Sequence, residues 1–224
     1  MGKRRLKCLL IQPHSDDILF SCSHVLFADA YDCEILTIEN NPKRVSEDKK
    51  LYEFLELPYH HLKVDFDDQS YYSFHKKYDD VTTENSYEHL NEFFGDGVLD
   101  EIELRFCKFI KKFTEKHGKD IVFIVPWGVG HPFHMFVKDI CEKYLPKKNM
   151  LFYREFPHSY KRRSQKQVER QKKEYKLLNQ VAVEPFADVK WDLAKKFYKS
   201  QSGLLFYEQG YIKKNLPEEL YALG

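Results

Sequence analysis

The strongest constraint on the fold is a rhythm. Short apolar runs rich in β-branched and aromatic residues alternate with amphipathic segments of helical length, the pattern of a parallel sheet covered on both faces. The runs predicted as strands cover residues 6–12, 33–38, 61–66, 120–126, 150–156 and 180–184. Between them, apolar residues return at three- and four-residue intervals over 18–30, 46–56, 99–117, 133–144, 164–178 and 190–199, which predicts helices. Short crossovers of this kind are right-handed. The expected architecture is therefore an α/β fold, a Rossmann-like three-layer α/β/α sandwich with a mainly parallel sheet.

At 224 residues the chain suits a single domain spanning 1–224, with a C-terminal extension from about residue 180. Residues 67–97 break the rhythm. They show no clear period and mix acids with aromatics (Tyr71, Tyr72, Phe74, Tyr78, Tyr87, Phe93, Phe94), which predicts a long loop insertion. It is either a surface excursion with its own aromatic cluster or a lid.

Composition narrows the function classes. Thirty-six Lys and Arg against 35 Asp and Glu leave a net charge of +1, so nothing calls for nucleic acid or an anionic membrane as an obligatory partner. Residues 161–176 are half Lys or Arg, yet they run into a Glu-containing helical pattern and read first as a solvated face. No apolar run approaches the roughly 18 residues of a membrane span, and the N-terminal apolar stretch reads as a strand, not a signal peptide. Five cysteines without a CxxC pattern fit reduced thiols and a cytoplasmic location, and give no cysteine-based zinc site. Oligomeric state is open, and a homo-oligomer is compatible with the sequence.

Chemistry concentrates in two clusters. Pro13-His14-Ser15-Asp16-Asp17 follows the first predicted strand and precedes a helix, and the carboxyl ends of strands are where ligands bind in an open α/β sheet. One imidazole and one carboxylate can ligate a divalent metal while the neighbouring carboxylate accepts a proton. Alternatively, Asp16 or Asp17 only caps the following helix. The second cluster, Trp127-Gly128-Val129-Gly130-His131-Pro132-Phe133-His134, ends another strand on the same sheet edge. Pro132 suits the first helical position, so His131 and His134 fall close together at the helix start. An HxxH alone is weak; two clusters on one edge are stronger. Together they give His14, Asp17 and His134 as a three-ligand set with an open position, the composition of a catalytic zinc site. Asp16 is then the general base and His131 the group that stabilises an oxyanion and protonates a leaving amine.

These residues resemble the PIG-L/LmbE family of zinc-dependent N-acetylglucosamine deacetylases. The family's HPDD(E) motif corresponds to His14-Ser15-Asp16-Asp17-Ile18, and its HPDH-like element to His131-Pro132-Phe133-His134. Arg44, Glu47 and Leu55-Glu56-Leu57 resemble the segment after the family's second strand, and Tyr198-Lys199-Ser200-Gln201 a C-terminal Tyr-x-Ser-Gln element. The resemblance covers most of the chain. It implies Zn²⁺, or another first-row divalent ion, on His14, Asp17 and His134, with Asp16 and His131 catalytic. It also implies an N-acetylated amino sugar as the small-molecule substrate. Three positions depart from the pattern: Ser15 for Pro, Ile18 for Glu and Phe133 for Asp, which implies a more apolar pocket. The alternative is a sugar- or metal-binding protein on the same scaffold that no longer turns substrate over.

Trp127 and Arg44 are candidate substrate contacts, though Arg44 can equally form an ion pair with Glu47. The other histidines (24, 60, 61, 75, 89, 117, 158) lack a partner at motif spacing and read as surface or packed side chains. His158, after Pro157 and beyond a strand end, is the exception to inspect. Cys22 reads as core.

Overall fold

A computed structural model describes residues 5–64, 90, 92–95, 97–182, 187–201 and 216–224. Its centre is a seven-stranded sheet in the order β3-β2-β1-β4-β5-β7-β6. The strands are β1 (Leu6–Gln12), β2 (Tyr31–Thr37), β3 (Tyr59–His61), β4 (Val122–Pro126), β5 (Met150–Tyr153), β6 (Tyr175–Val181) and β7 (Glu218–Leu223). The first five run parallel, with β1 and β2 in register from Leu6↔Tyr31 to Gln12↔Thr37. β7 is reversed and pairs antiparallel with both β5 and β6.

Side-chain alternation along the strands divides the core in two. Leu9 and Ile11 of β1, with Phe123 and Val125 of β4, pack beneath α4 (Val98–His117) and α5 (Pro132–Tyr144), meeting Phe106, Ile110, Phe133 and Val137. Cys8 and Leu10, with Ile124, face the other way. They meet α1 (Asp17–Ser21), α3 (Pro42–Phe54) and α7 (Ala187–Phe197) through Ile18, Leu51 and Leu193. Every one of these residues is buried, and at about 25 cal/mol per Å² such burial is what holds the layers together. The architecture is the expected α/β sandwich. No helix among the described residues is long and apolar enough to cross a membrane, and all five cysteines are free.

Several boundaries differ from expectation. The helix predicted over 18–30 is two short helices, α1 and α2 (Ser23–Leu26), broken at Cys22. The helix predicted over 164–178 stops early: α6 covers only Gln165–Gln171, and the strand expected at 180–184 is instead Tyr175–Val181. Leu177 and Leu178 continue the helical spacing on paper, but they lie exposed on an edge strand whose backbone pairs with β7. Residues 218–223 form a strand that the sequence does not announce, because two acids beside Leu and Ala carry no period-two signal. The region after 180 therefore supplies α7 and a strand inserted inside the sheet. Most of the expected 67–97 insertion lies outside the described residues; its Phe93 and Phe94 pack against the core.

Candidate metal centre

Three neighbouring strands deliver the site. β1, β4 and β5 are adjacent and parallel, so their carboxyl ends open on one edge. After β1 the chain turns at Asp16, which adopts a left-handed conformation (φ 100°) rare for a non-glycine residue. That turn sends adjacent carboxylates in different directions. Asp17 Oδ2 accepts the His14 backbone N–H at 2.8 Å and faces the two imidazoles, whereas Asp16 faces Arg44. After β4, Gly128 and Gly130 (both φ 75°) carry the chain to His131, the residue before α5, with Pro132 in the first turn.

The resulting geometry is tight. His14 Nδ1 lies 3.0 Å from His134 Nε2, and Asp17 Oδ2 lies 3.7 Å from the former and 3.4 Å from the latter. Ligands about 2.1 Å from a tetrahedral ion stand roughly 3.4 Å from one another, so the triangle has the dimensions of a metal site. The ring of His131 is 4.8 Å from that of His14 and 4.9 Å from that of His134. His14, His131 and His134 form a buried group whose ligand nitrogens all lie within 4.8 Å of one another and which can hold a metal ion.

Burial sets the electrostatics. Asp16 is pushed well above the usual carboxylate range by desolvation, against the pull of Arg44. Desolvation acts on Asp17 too, but His134 and His14 outweigh it and hold Asp17 below its ordinary value. His134 loses solvation as well, yet Asp17 and Glu155 raise its affinity for a proton. The carboxylates that favour a proton on His134 would favour a cation beside it as well.

The remaining predicted residues take other positions. Arg44, on α3 behind the Asn41 cap, is buried: its guanidinium pairs with Glu39 at 2.9 Å and Asp16 at 3.3 Å and donates to the Ser15 carbonyl at 3.0 Å. It braces the first motif. The surface pair expected between Arg44 and Glu47 gives way to a different contact, since Glu47 accepts hydrogen bonds from the Ser200 backbone and hydroxyl. Trp127 is fully buried and stacks on Tyr221 with centroids 4.2 Å apart, so its ring packs the core and is not placed to meet a substrate. Of the departures from the family pattern, Ile18 and Phe133 are both fully buried in the core, although the Phe133 ring also approaches His14 at 5.4 Å.

Other contributors lie outside the two motifs. Glu155 and His158 arrive just beyond β5: Glu155 Oε1 lies 3.6 Å from His134 Nδ1, and the His158 ring is 4.9 Å from His131 and 5.0 Å from His134. The sequence signal for both is a third strand ending on the same edge, which marks His158 for inspection but leaves Glu155 unmarked. Asp48 is the centre of a buried hub that accepts from Gln12, Thr37 and Tyr198 at 2.5, 2.9 and 2.6 Å. Burial lifts its pKa to about 7. Gln201 donates to the Ser15 carbonyl at 3.2 Å, so the 198–201 element closes under the first motif.

No protein-family model matches the chain. No curated protein matches it either. Among solved structures, the conserved protein TT1542 from Thermus thermophilus is similar in fold, with a TM-score of 0.51 and 13% sequence identity over 98% of this chain and 94% of that one. At that identity the likeness concerns the fold alone.

Proposed function

We propose that the protein is a metal-dependent hydrolase that removes the acetyl group from an N-acetylglucosamine-type sugar or conjugate. The observation that carries this reading is the triangle of His14 Nδ1, His134 Nε2 and Asp17 Oδ2, with edges of 3.0 to 3.7 Å. Two imidazole nitrogens and one carboxylate oxygen suit Zn²⁺ and leave a coordination position open; the same donors accept other first-row divalent ions. When bound, such an ion supplies Lewis acidity toward an amide carbonyl and lowers the pKa of water to about 7.

The chain's own groups then divide the remaining work. Asp16, held by Arg44 and outside the ligand triangle, accepts a proton from the attacking water; burial raises its proton affinity, which suits a base. His131, beside His14 and His134 but outside the triangle, donates a hydrogen bond to the developing oxyanion and a proton to the departing amine. The dry surroundings strengthen both interactions.

The test is an acetate-release assay across N-acetylglucosamine conjugates, using metal-stripped protein with Zn²⁺, Fe²⁺, Mn²⁺ or Co²⁺ restored. Acetate should appear only with metal present. Sugar binding without acetate release under every metal would overturn the hydrolase reading in favour of a binding protein on this scaffold.

A further inference from the structure

β5 brings to the metal centre a carboxylate that this chemistry leaves unused. Glu155 is wholly buried. Its Oε1 accepts the backbone N–H groups of Gly128 and, at 3.2 Å, Val129, and lies 3.6 Å from His134 Nδ1. Its Oε2 is buried with no hydrogen-bond partner among the described residues. Two peptide N–H groups could be satisfied by a neutral amide, so an ionised side chain with one dry, unpaired oxygen is a costly choice unless positive charge stands nearby.

The charges around the centre suggest where it stands. Arg44 is shared by Asp16 and Glu39 and so is already matched. On the ligand side, Asp17 touches His134 Nε2 and Glu155 approaches the opposite nitrogen of the same ring, Nδ1. With both histidine ligands neutral, Asp17 and Glu155 carry two negative charges, which a divalent ion between His14, His134 and Asp17 would cancel.

We propose that Glu155 is a positioning residue for the metal. It attracts the hydrogen to Nδ1 of His134, which leaves the Nε2 lone pair facing Asp17 and His14, and it supplies the second of two negative charges that make a divalent ion the matching occupant. Carboxylates that orient ligating histidines typically contribute about 10- to 100-fold in metal affinity. The inference rests on the metal-binding part of the proposed function but not on acetate release.

The experiment measures Zn²⁺ affinity near neutral pH by competition with a chromophoric chelator, for the full chain and its Glu155→Gln and Glu155→Asp variants. Thermal melts of the metal-free proteins and Co²⁺ absorption spectra accompany it. Gln keeps the acceptor for Gly128 and Val129, so Glu155→Gln should lose roughly 10- to 100-fold in affinity and alter the Co²⁺ spectrum, with no loss in metal-free melting temperature. Asp keeps the charge and should retain more affinity than Gln. Equal affinity in wild type and Glu155→Gln, or an Asp variant as weak as the Gln variant, would overturn the role given to the charge. A wild-type chain that takes up no metal would overturn the metal reading itself, and this inference with it.

Discussion

His14 Nδ1 and His134 Nε2 face each other at 3.0 Å across 120 positions of sequence. Two imidazole nitrogens that close share either a hydrogen, donated by one ring to the other, or a cation, because two lone pairs or two N–H groups facing each other would repel. Asp17 Oδ2 closes the third side, and a metal ion would satisfy all three groups at once.

Metal should therefore stabilise the fold. A ligand at about 1,000 times its dissociation constant contributes about 4 kcal/mol when it binds only the native state. Calorimetric melts with and without Zn²⁺ should show a rise in Tm of several degrees that chelator reverses. His134→Ala should abolish the rise. An unchanged melt on adding Zn²⁺ to the stripped wild-type protein would contradict the site.

Asp16 and Asp17 should separate binding from turnover. Asp16→Asn removes the base but no ligand, so Zn²⁺ uptake should stay within a few-fold of wild type while acetate release falls about 10²- to 10⁴-fold. Asp17→Asn should lower both. Zinc titration beside the kinetic assay checks the pair, and near-normal turnover by Asp16→Asn would remove the residue from the reaction.

The five residues at the heart of the site are legible because they cluster in two short windows, each directly after an apolar strand: His14, Asp16 and Asp17 in one, His131 and His134 in the other. Glu155 is not, and His158 is marked only by its place beyond a strand end, since their partners stand about twenty residues or more away and are joined to them only by the adjacency of β4 and β5. Arg44 is visible but its work is not. Its partners Glu39 and Asp16 are fixed by the turn after β1 and the start of α3, and no local spacing encodes that convergence. Strand β1 matches its expected ends because its neighbours bury most of it, whereas β6, exposed at the sheet edge, leaves little hydrophobic pattern to read.

Phe133 illustrates the same point. The motif that this segment resembles has Asp there, but the ring is fully buried and stacks near Phe136. Phe133→Asp should thus impair folding, not improve catalysis: losing the aromatic core contact alone costs about 3–5 kcal/mol, and an unpaired buried charge adds to it. Urea denaturation monitored by circular dichroism would check this. A variant as stable as wild type would show that the position tolerates polarity.

A glycine on the second motif should be equally intolerant. At Gly130, φ is +75° and a Cβ would sit 2.8 Å from the His158 carbonyl oxygen and clash with Ser164 Oγ. Gly130→Ala combines a strained backbone with a steric collision in the segment that carries His158. A loss of about 2 kcal/mol or more is expected from denaturation midpoints, together with weaker metal uptake.

Away from the site, the buried group of Glu218, Lys190, Ser23 and His24 gives a pH signature. Desolvation works to raise the Glu218 pKa, but Lys190 at 2.6 Å and the His24 hydrogen bonds bring it from 4.5 to about 2. A depressed carboxylate stabilises the fold above its unfolded pKa and loses that contribution as pH falls from about 4.5 through about 2. The loss should be on the order of 3 kcal/mol at most. Denaturation midpoints between about pH 7 and pH 2 should show it as a difference between wild type and Glu218→Gln. Parallel curves for the two proteins would contradict the assignment.

The position of β7 between β5 and β6 bears on how the molecule is assembled during synthesis. Residues 175–181 leave the ribosome about forty positions before the strand that separates them from β5. Among the described residues, until that strand arrives, β5 has an open edge and β6 has no strand to pair with. A chain cut short before Pro217 would also lose the carboxylate that neutralises Lys190. Residues 218–223 thus act as a keystone, and it is their arrival that joins five parallel strands and a separate sixth into one sheet.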